Sequence, residues 1–382
     1  MVFESVTGKV LLAEVHYDEQ QKMLQSKTVG TIEIPVASVG RLYAANVSDN
    51  LQWLAASSKT RGAIWNLNSG ERKMYVRGFR GALLANDGRG IEDFPKLEPA
   101  NHSLVMVDPL TNQANDLKEL PERGARQYGR FLLLRAGLKV SQKPDQDKEK
   151  EKSDQSQSDD QSSSDAALTR GVSFELRNLV DNRLVWSREF PKEAPRFFFD
   201  EFSGRLILYW TLGSDVGKAK LNEDANLAAR AKELGNKDDD YILEIVDAFA
   251  SKTVGMLLLE TGKRSFYIRS GLSEGNWLVL HDSNNRVLVY SINGGDLRHR
   301  FFGANAAINP AKNQIVVENY PGELTFYDLN TGDSQARLNF GSGAAFVRFS
   351  LDGRRLFVLS GEQTAYAFDL DKLTTKAPAP VQ

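Results

Sequence analysis

Cysteine is absent from this chain of 382 residues. That absence excludes disulfides, thiolate metal sites and a cysteine nucleophile. Histidine is scarce, and the four copies, His16, His102, His281 and His299, lack the spacing of a metal site. No glycine-rich phosphate loop follows a strand-like segment. We therefore expect no metal and no cofactor.

An excess of charge of either sign is also missing. The 48 basic and 50 acidic residues give a net charge of −2, so we expect no nucleic-acid partner. No apolar run reaches the roughly 18 residues of a membrane span, so we expect no membrane insertion. Residues 1–9 lack the basic start and apolar core of a secretory signal. A cytoplasmic monomer is the favoured interpretation, and a processed extracytoplasmic form is the alternative.

The clearest pattern in the chain lies between Phe346 and Leu370. Three short runs rich in Val, Phe, Leu and Tyr are separated by two turns. The first turn contains Asp352-Gly353, a pair that suits a tight hairpin, and the second contains Gly361. Strand, hairpin, strand, turn and strand make up most of one β-propeller blade.

The third strand of this unit recurs along the chain. Each copy is an alternating apolar run that ends at Asp, Asn or Ser, at positions 66, 108, 178, 247, 291, 328 and 369. The successive spacings are 42, 70, 69, 44, 37 and 41 residues, against about 40–45 for a propeller blade. Each long interval holds an insertion. The polar residue is expected to start a turn by bonding its own backbone, with a left-handed glycine four residues on in several copies.

Two segments resemble known families. Trp65-Asn66 and the run Phe349–Leu356 resemble the WD-repeat and YVTN-type propellers, and the resemblance covers nearly the whole chain. It implies an all-β fold, a seven-bladed β-propeller in a single domain over residues 1–376. An N-terminal strand is expected to pair with the last blade and close the ring, which would remove an exposed edge. Because Val2–Gly8 also resembles the third-strand signature, eight blades are the alternative.

Two insertions and a tail interrupt the pattern. Residues 141–169 are polar and contain no aromatic residue, which predicts a disordered loop. Residues 214–240 predict a partly helical insertion, with Asn222 as a helix cap and Gly235 as the end of the helix. Residues 377–382 are expected to be a disordered tail.

One motif has the sequence of a catalytic element. Residues 271–275 match the Gly-x-Ser-x-Gly nucleophile elbow around Ser273. That elbow needs a helix after the serine, whereas Asn276–Leu280 has the sequence of a strand. We therefore interpret the motif as a blade hairpin, predict no catalytic residue, and expect no enzyme activity.

Several arginines precede the first strands of the repeats. They are Arg41, Arg80, Arg126, Arg196, Arg264 and, slightly displaced, Arg300. First strands line the channel of a propeller, so these side chains could ring one mouth of the channel and bind a small anion or an acidic peptide. The competing interpretation is that they are ordinary polar loop residues whose stems cover apolar edges.

The sequence favours a non-enzymatic scaffold or binding module with a protein or peptide partner. Anion or acidic-peptide binding at the arginine-ringed mouth is the second hypothesis. A hydrolase or lactonase-like propeller with its site at the channel mouth is the third. A propeller fold does not by itself choose among them.

Overall fold

Antiparallel β-strands make up most of the described chain. The computed structural model describes residues 2–4, 9–18, 23–33, 42, 44–58, 61–77, 87–95, 101–111, 113–121, 125–138, 171–259 and 267–373. The N-terminal strands form a meander of β1 (Val2–Glu4), β2 (Lys9–Asp18) and β3 (Met23–Glu33). The predicted loop at 141–169 and the tail at 377–382 lie outside the described residues.

Sheets of three or four consecutive strands follow along the chain. The first contains β4 (Ala44–Val47), β5 (Trp53–Ser57), β6 (Arg61–Asn66) and β7 (Glu71–Arg77). The next contains β8 (Gly90–Pro95), β9 (Asn101–Asp108) and β10 (Gln113–Pro121). It is followed by β11 (Ala125–Tyr128), β12 (Phe131–Gly137), β13 (Val172–Asn178) and β14 (Leu184–Phe190).

The C-terminal half continues in the same way. One sheet contains β15 (Arg196–Asp200), β16 (Arg205–Thr211), β17 (Tyr241–Asp247) and β18 (Lys252–Leu259), with α1 (Asp215–Glu223) and α2 (Ala225–Leu234) inserted after β16. The next contains β19 (Ile268–Glu274), β20 (Trp277–Asp282), β21 (Arg286–Ser291) and β22 (Leu297–Phe302). Then come β23 (Ala306–Asn309), β24 (Gln314–Tyr320), β25 (Glu323–Asp328) and β26 (Ser334–Asn339). The last sheet contains β27 (Ala344–Phe349), β28 (Arg355–Ser360) and β29 (Ala365–Asp369), followed by α3 (Leu370–Leu373).

Six of these sheets surround a central cavity. Its wall takes residues from the first strand of each, namely Asn46 of β4, Tyr128 of β11, Phe199 of β15, Leu272 of β19, Ile308 of β23 and Val347 of β27. The described residues of the β8–β10 sheet contribute nothing to this wall. The protein is therefore an all-β propeller of six blades. Blades 1 to 6 begin with β4, β11, β15, β19, β23 and β27.

The prediction of seven blades, with eight as the alternative, is wrong. The copy of the repeat that ends at Asp108 is β9, the middle strand of the β8–β10 sheet. That sheet packs on blade 1 through Val107, which contacts Trp53 and Ile64, and has no described strand at the centre. The third-strand signature indicates an apolar strand followed by a turn. It does not indicate whether the sheet that contains this strand reaches the centre of the propeller, so the number of signatures exceeds the number of blades.

The predicted ring closure is also wrong. The N-terminal meander joins the outer strand of blade 5, where β3 runs parallel to β26 with Met23 opposite Arg337 and Leu24 opposite Leu338. Within the described chain, blade 6 keeps three strands and β29 is its outer strand. β1 is the edge strand of the meander, so Val2–Glu4 begins no eighth blade. Both outer strands offered unpaired backbone groups, and the sequence alone does not say which one is used.

Alternating side chains cover both faces of each blade. In β20, Leu278 and Leu280 pack toward blade 3, whereas Val279 packs toward blade 5. All three side chains are essentially inaccessible to solvent. Since successive residues of a strand point to opposite faces, a run of apolar residues is what a strand buried on both sides requires.

The polar residue that ends each third strand has the predicted role. Asp328 Oδ1 accepts hydrogen bonds from the backbone N–H groups of Asn330 and Thr331 at 2.8 and 3.0 Å, and Gly332 follows with φ of 79°. Asn66 Oδ1 likewise accepts a hydrogen bond from the N–H of Asn68 at 2.9 Å, and Gly70 follows with φ of 70°. In blades 1 to 5 the pairing of the third and fourth strands shifts register just before this residue. Such a bulge increases the local twist of the strands.

The helical insertion is two helices. Ser214 caps α1 by accepting a hydrogen bond from the N–H of Gly217. Asp224 caps α2, so the predicted cap at Asn222 is two residues too early. Gly235 ends α2 in the left-handed conformation, with φ of 68°. Asp224 is favoured as the cap because its carboxylate accepts from two free N–H groups at the positive end of the helix.

A buried carboxylate joins this insertion to two blades. Glu244 on β17 is 2% exposed. Its carboxylate accepts hydrogen bonds from Arg188 of blade 2, Lys220 of α1 and Thr253 of β18, each at 2.7 Å. Lys220 also lies over the ring of Trp210, 4.8 Å from its centroid. The carboxylate is therefore the shared counter-charge of two cations from separate elements.

We predict that Glu244→Gln lowers the free energy of unfolding by about 3 kcal/mol, because it leaves both cations without a counter-charge. Equilibrium unfolding in urea measures the change. The control is Glu223→Gln, the same substitution at an exposed position of α1, which should change stability by under about 0.5 kcal/mol. Equal unfolding midpoints for the two variants would contradict the role of Glu244.

The contribution of Glu244 should also depend on pH. Burial alone raises the pKa of this carboxyl, but the hydrogen bonds from Arg188, Lys220 and Thr253 outweigh it and lower the pKa from 4.5 to about 2. Because the folded-state pKa lies below the unfolded one, the ionised carboxylate stabilises the protein fully above about pH 4.5. That stabilisation is lost as the pH falls toward 2. The stability difference between wild type and Glu244→Gln should shrink across this window in urea titrations. A constant difference would argue against it.

Candidate functional site

The central cavity is a concave feature at the point where the innermost strands of all six blades meet. It has a volume of 540 Å³ and opens to solvent. The innermost strands begin at one face of the disc, here named the upper face, and end in hairpins at the other, the lower face. Apolar side chains line much of the wall, and charged groups collect toward the lower end.

A buried arginine occupies the lower end of the cavity. Arg348 on β27 is 7% exposed. Its guanidinium donates to the backbone carbonyl of Val47 at 3.5 Å and to Asp49 Oδ1 at 3.4 Å, and it lies over the ring of Phe202. Burial lowers the pKa of Arg348 to about 10, although nearby carboxylates including Asp49 oppose the shift. The side chain remains a cation at neutral pH.

Asp49 connects blades around this arginine. It lies in the hairpin between β4 and β5, and its carboxylate also faces Arg130 at 3.4 Å, in the hairpin between β11 and β12. Blades 1, 2 and 6 therefore meet at one ionic cluster. Because these side chains are mostly shielded from water, the interaction is screened less than a surface pair.

Two adjacent carboxyls face Arg348 from blade 3. Burial raises the pKa of Asp200, although the backbone N–H groups of Phe202 and Ser273 donate to it at 3.2 and 3.3 Å. Burial raises the pKa of Glu201 to about 7, although the side-chain amide of Asn46 donates to it. Both residues keep partial access to the cavity space while protein surrounds them. Glu201 thus titrates near neutral pH.

A third carboxyl lines the wall from blade 4. Glu274 ends β19, and burial followed by the charge of Asp200 raises its pKa, against Arg205 and Arg348. Within the described part of the chain, no group donates a hydrogen bond to it. The lower end of the cavity is therefore richer in carboxyl groups than in cations.

A serine and a histidine face each other higher in the same wall. Ser270 Oγ lies 3.4 Å from His281 Nδ1, and both residues line the cavity. Burial, with a contribution from Arg269, lowers the pKa of His281, against Asp282. His281 Nε2 is buried and has no hydrogen-bond partner among the described residues. The lowered pKa favours the neutral form of the imidazole.

The serine of the elbow-like motif is a different residue with a different environment. Ser273 lies on β19, and the next element is β20, so the helix that a nucleophile elbow requires is missing. Its side chain is fully buried, and its hydroxyl meets no partner in the described chain. The hairpin interpretation of this motif agrees with the structure.

The predicted arginine ring is only partly within the described chain. Three of its members, Arg41, Arg80 and Arg264, lie outside the described residues. Arg126 and Arg196 lie at the upper ends of β11 and β15 with exposed side chains. Arg300 lies on β22, the outermost strand of blade 4, away from the channel mouth. An anion site at this mouth stays a prediction.

The acidic lower end was not among the sequence predictions. Its members come from three separate repeats: Asp49, the pair Asp200-Glu201, and Glu274. Each lies in or beside the hairpin that follows a first strand. Aligning the repeats on that hairpin would have placed these carboxyls at one end of the channel. Arg348 lies inside a strand and carries no such signal.

Among the described residues, no group of three His, Asp or Glu side chains is arranged to hold a metal ion. No helix in the described chain is both long and apolar enough to cross a bilayer.

Comparisons with known proteins identify no family for this chain. No protein-family profile matches the chain, and no curated protein matches its sequence. One similar solved structure is that of Saccharomyces cerevisiae Sqt1, with a TM-score of 0.46 and 10% identity over 88% of this chain and 84% of that one. A similarity of this size carries no argument about fold or function. The six-bladed arrangement agrees with the resemblance to WD-repeat propellers. No described feature assigns the chain to the YVTN type.

We predict that Glu201→Gln gains stability relative to wild type as the pH rises. The folded-state pKa of about 7 lies above the unfolded value of 4.5, so wild type loses stability from this group between these pH values. Urea unfolding at pH 5 and pH 8 should show a relative gain of about 1–3 kcal/mol at the higher pH. Glu223→Gln serves as the control. A gain that does not change with pH would show that Glu201 ionises normally.

Proposed function

We propose that the protein is a non-enzymatic scaffold that binds a protein partner on its upper face. The observation that carries this proposal is a row of three exposed aromatic side chains on neighbouring blades 4 and 5. Tyr267, Phe302 and Tyr320 are 59%, 63% and 69% exposed. Tyr267 precedes the innermost strand β19, and the other two end β22 and β24, so all three lie at the upper face.

The backbone beneath this aromatic row is held in place. The carbonyl of Tyr267 accepts a hydrogen bond from the N–H of Ser283 at 2.9 Å. The carbonyl of Phe302 accepts one from the side-chain amide of Asn319, the residue before Tyr320, at 2.8 Å. A partner would therefore meet rings on a pre-ordered surface, which reduces the entropy lost on binding.

The polar surroundings of the row also suit an interface. The guanidinium of Arg269 is fixed by Asn285 Oδ1 at 3.0 Å and by the carbonyl of Ser283 at 3.1 Å. Aromatic residues and arginine are the types enriched where proteins bind each other. Single exposed apolar residues are common, but three aromatic rings at the same face of adjacent blades form a surface that a partner can cover.

Catalysis is not part of this proposal. Ser270 Oγ lies 3.4 Å from Nδ1 of His281. A catalytic triad would need a third group, such as the neighbouring carboxyl of Asp282, to orient this histidine. The carboxyl of Asp282 instead accepts a hydrogen bond from Arg286 at 2.5 Å.

The test is quantitative capture with matched variants. The upper-face variant carries Tyr267→Ser, Phe302→Ser and Tyr320→Ser. The lower-face control carries Val180→Ser, Leu184→Ser and Leu351→Ser, which are also exposed apolar residues. A partner captured by the immobilised wild type should be retained by the control and reduced at least tenfold by the upper-face variant. All three proteins should keep the same thermal unfolding midpoint within about 3 °C.

Two outcomes would refute the proposal. One is retention of every specific partner by the upper-face variant. The other is loss of the partner in the lower-face control alone, which would move the interface to the opposite face.

A further inference from the structure

The central cavity has the dimensions and lining of a small-molecule site. Its volume of 540 Å³ falls within the range of about 300–1,000 Å³ that is common for ligand pockets. Leu272, Ile308 and Phe346 supply apolar wall, and Asn46, Glu201 and Glu274 supply polar groups. Such a lining suits a ligand with an apolar body and one charged end.

The charges around the cavity determine the sign of that end. Asp200, Glu201 and Glu274 all interact with Arg348, the one cation among the described residues of the wall. Arg205 also acts on Glu274, but it lies outside the wall and is paired with Asp247 at 3.5 Å. The carboxylate of Asp49 is shared between Arg348 and Arg130, so Arg130 adds no uncompensated positive charge. When all the carboxyls ionise, the cavity carries a surplus of negative charge in a partly desolvated space. An anionic ligand would increase the repulsion among these negative charges, and a cationic ligand would reduce it.

One carboxylate of the wall also lacks a hydrogen-bond partner among the described residues. The carboxylate of Glu274 receives no hydrogen bond there. The residue is half-buried and lines the cavity, so a ligand in the cavity can reach its acceptor oxygens. An ammonium group, which has three donors and no acceptor, supplies the donors that this carboxylate can accept.

We propose that the central cavity binds a small organic amine, with its ammonium group against Glu274 and Glu201 and its apolar body against Leu272 and Phe346. This site is separate from the aromatic row on the upper face. A metal ion is a poorer occupant, because the described chain has no group of three His, Asp or Glu side chains arranged to hold one.

Binding should depend on pH through Glu201. The charged and polar groups that face this carboxyl are Asn46 and Asp49 of blade 1, Asp200 of blade 3 and Arg348 of blade 6. Its pKa of about 7 makes it mostly protonated at pH 6 and mostly ionised at pH 8. A ligand ammonium stays charged across this range, so amine affinity should rise roughly tenfold from pH 6 to pH 8.

Calorimetric titration of the full chain tests the proposal. The probe is 2-phenylethylamine, and the matched ligands are 2-phenylethanol, which has no charge, and 3-phenylpropanoate, which is an anion. Wild type should bind the amine at least tenfold more tightly than the alcohol and should not bind the carboxylate. Glu274→Gln should weaken amine binding at least tenfold, whereas Glu223→Gln on α1 should leave it unchanged.

Each contrary result is decisive. Equal affinity for the amine and the alcohol, preference for the carboxylate, or no binding of the amine would overturn the proposal with wild type alone. Thermal unfolding of Glu274→Gln establishes whether that variant is folded. Unchanged amine binding by the folded variant would place the ammonium elsewhere and refute the assignment of Glu274.

Discussion

Burial on both faces is the constraint on which this structure depends. Blade 4 shows it directly, because Leu278 and Leu280 need blade 3 on one side and Val279 needs blade 5 on the other. A sheet with two apolar faces is not stable alone, so each blade requires two neighbours and the series of blades curves around a centre. The central cavity follows from the same constraint. It is the space that remains where the innermost strands converge, and residues along the length of those strands line it.

At the lower end of this cavity the same convergence of strands buries charged side chains, which costs free energy. Arg348 is buried beside Asp49, Asp200 and Glu201, which come from blades 1 and 3. A buried guanidinium requires counter-charges, and buried carboxyls require donors or protons. The result is a group of side chains whose ionisation is coupled, with Glu201 poised near neutral pH. Glu244, by contrast, receives three donors and stays ionised well into the acid range. Two of the donors to Glu244 are cations, whereas the amide of Asn46 that donates to Glu201 is neutral, and this difference separates a structural role from a titrating one.

The two proposals rest on different parts of the disc. The aromatic row at the upper face is fixed on the ends of β22 and β24 and on the residue before β19, so the rigidity of the blades gives it a defined shape. The cavity extends along the innermost strands, from Asn305 just before β23 to Ser350 just after β27, and its carboxyls lie toward the lower end. On these two proposals, the propeller separates a surface for a macromolecule from a space for a small cation, so substitutions at one should leave the other intact.

Local patterns in the sequence determined the strands and turns. Alternating apolar runs, the Asp or Asn that ends each third strand, and the glycines that follow predicted a propeller, because these features act between near neighbours in the chain. The number of blades, the pairing of β3 with β26, and the acidic cavity were decided by tertiary structure. A repeat signature does not say whether its sheet reaches the centre, and two free strand edges offer the same hydrogen bonds to β3. The pKa of Glu201 depends on Asn46, Asp49 and Arg348, which lie far from it in sequence and meet it only when the ring has formed.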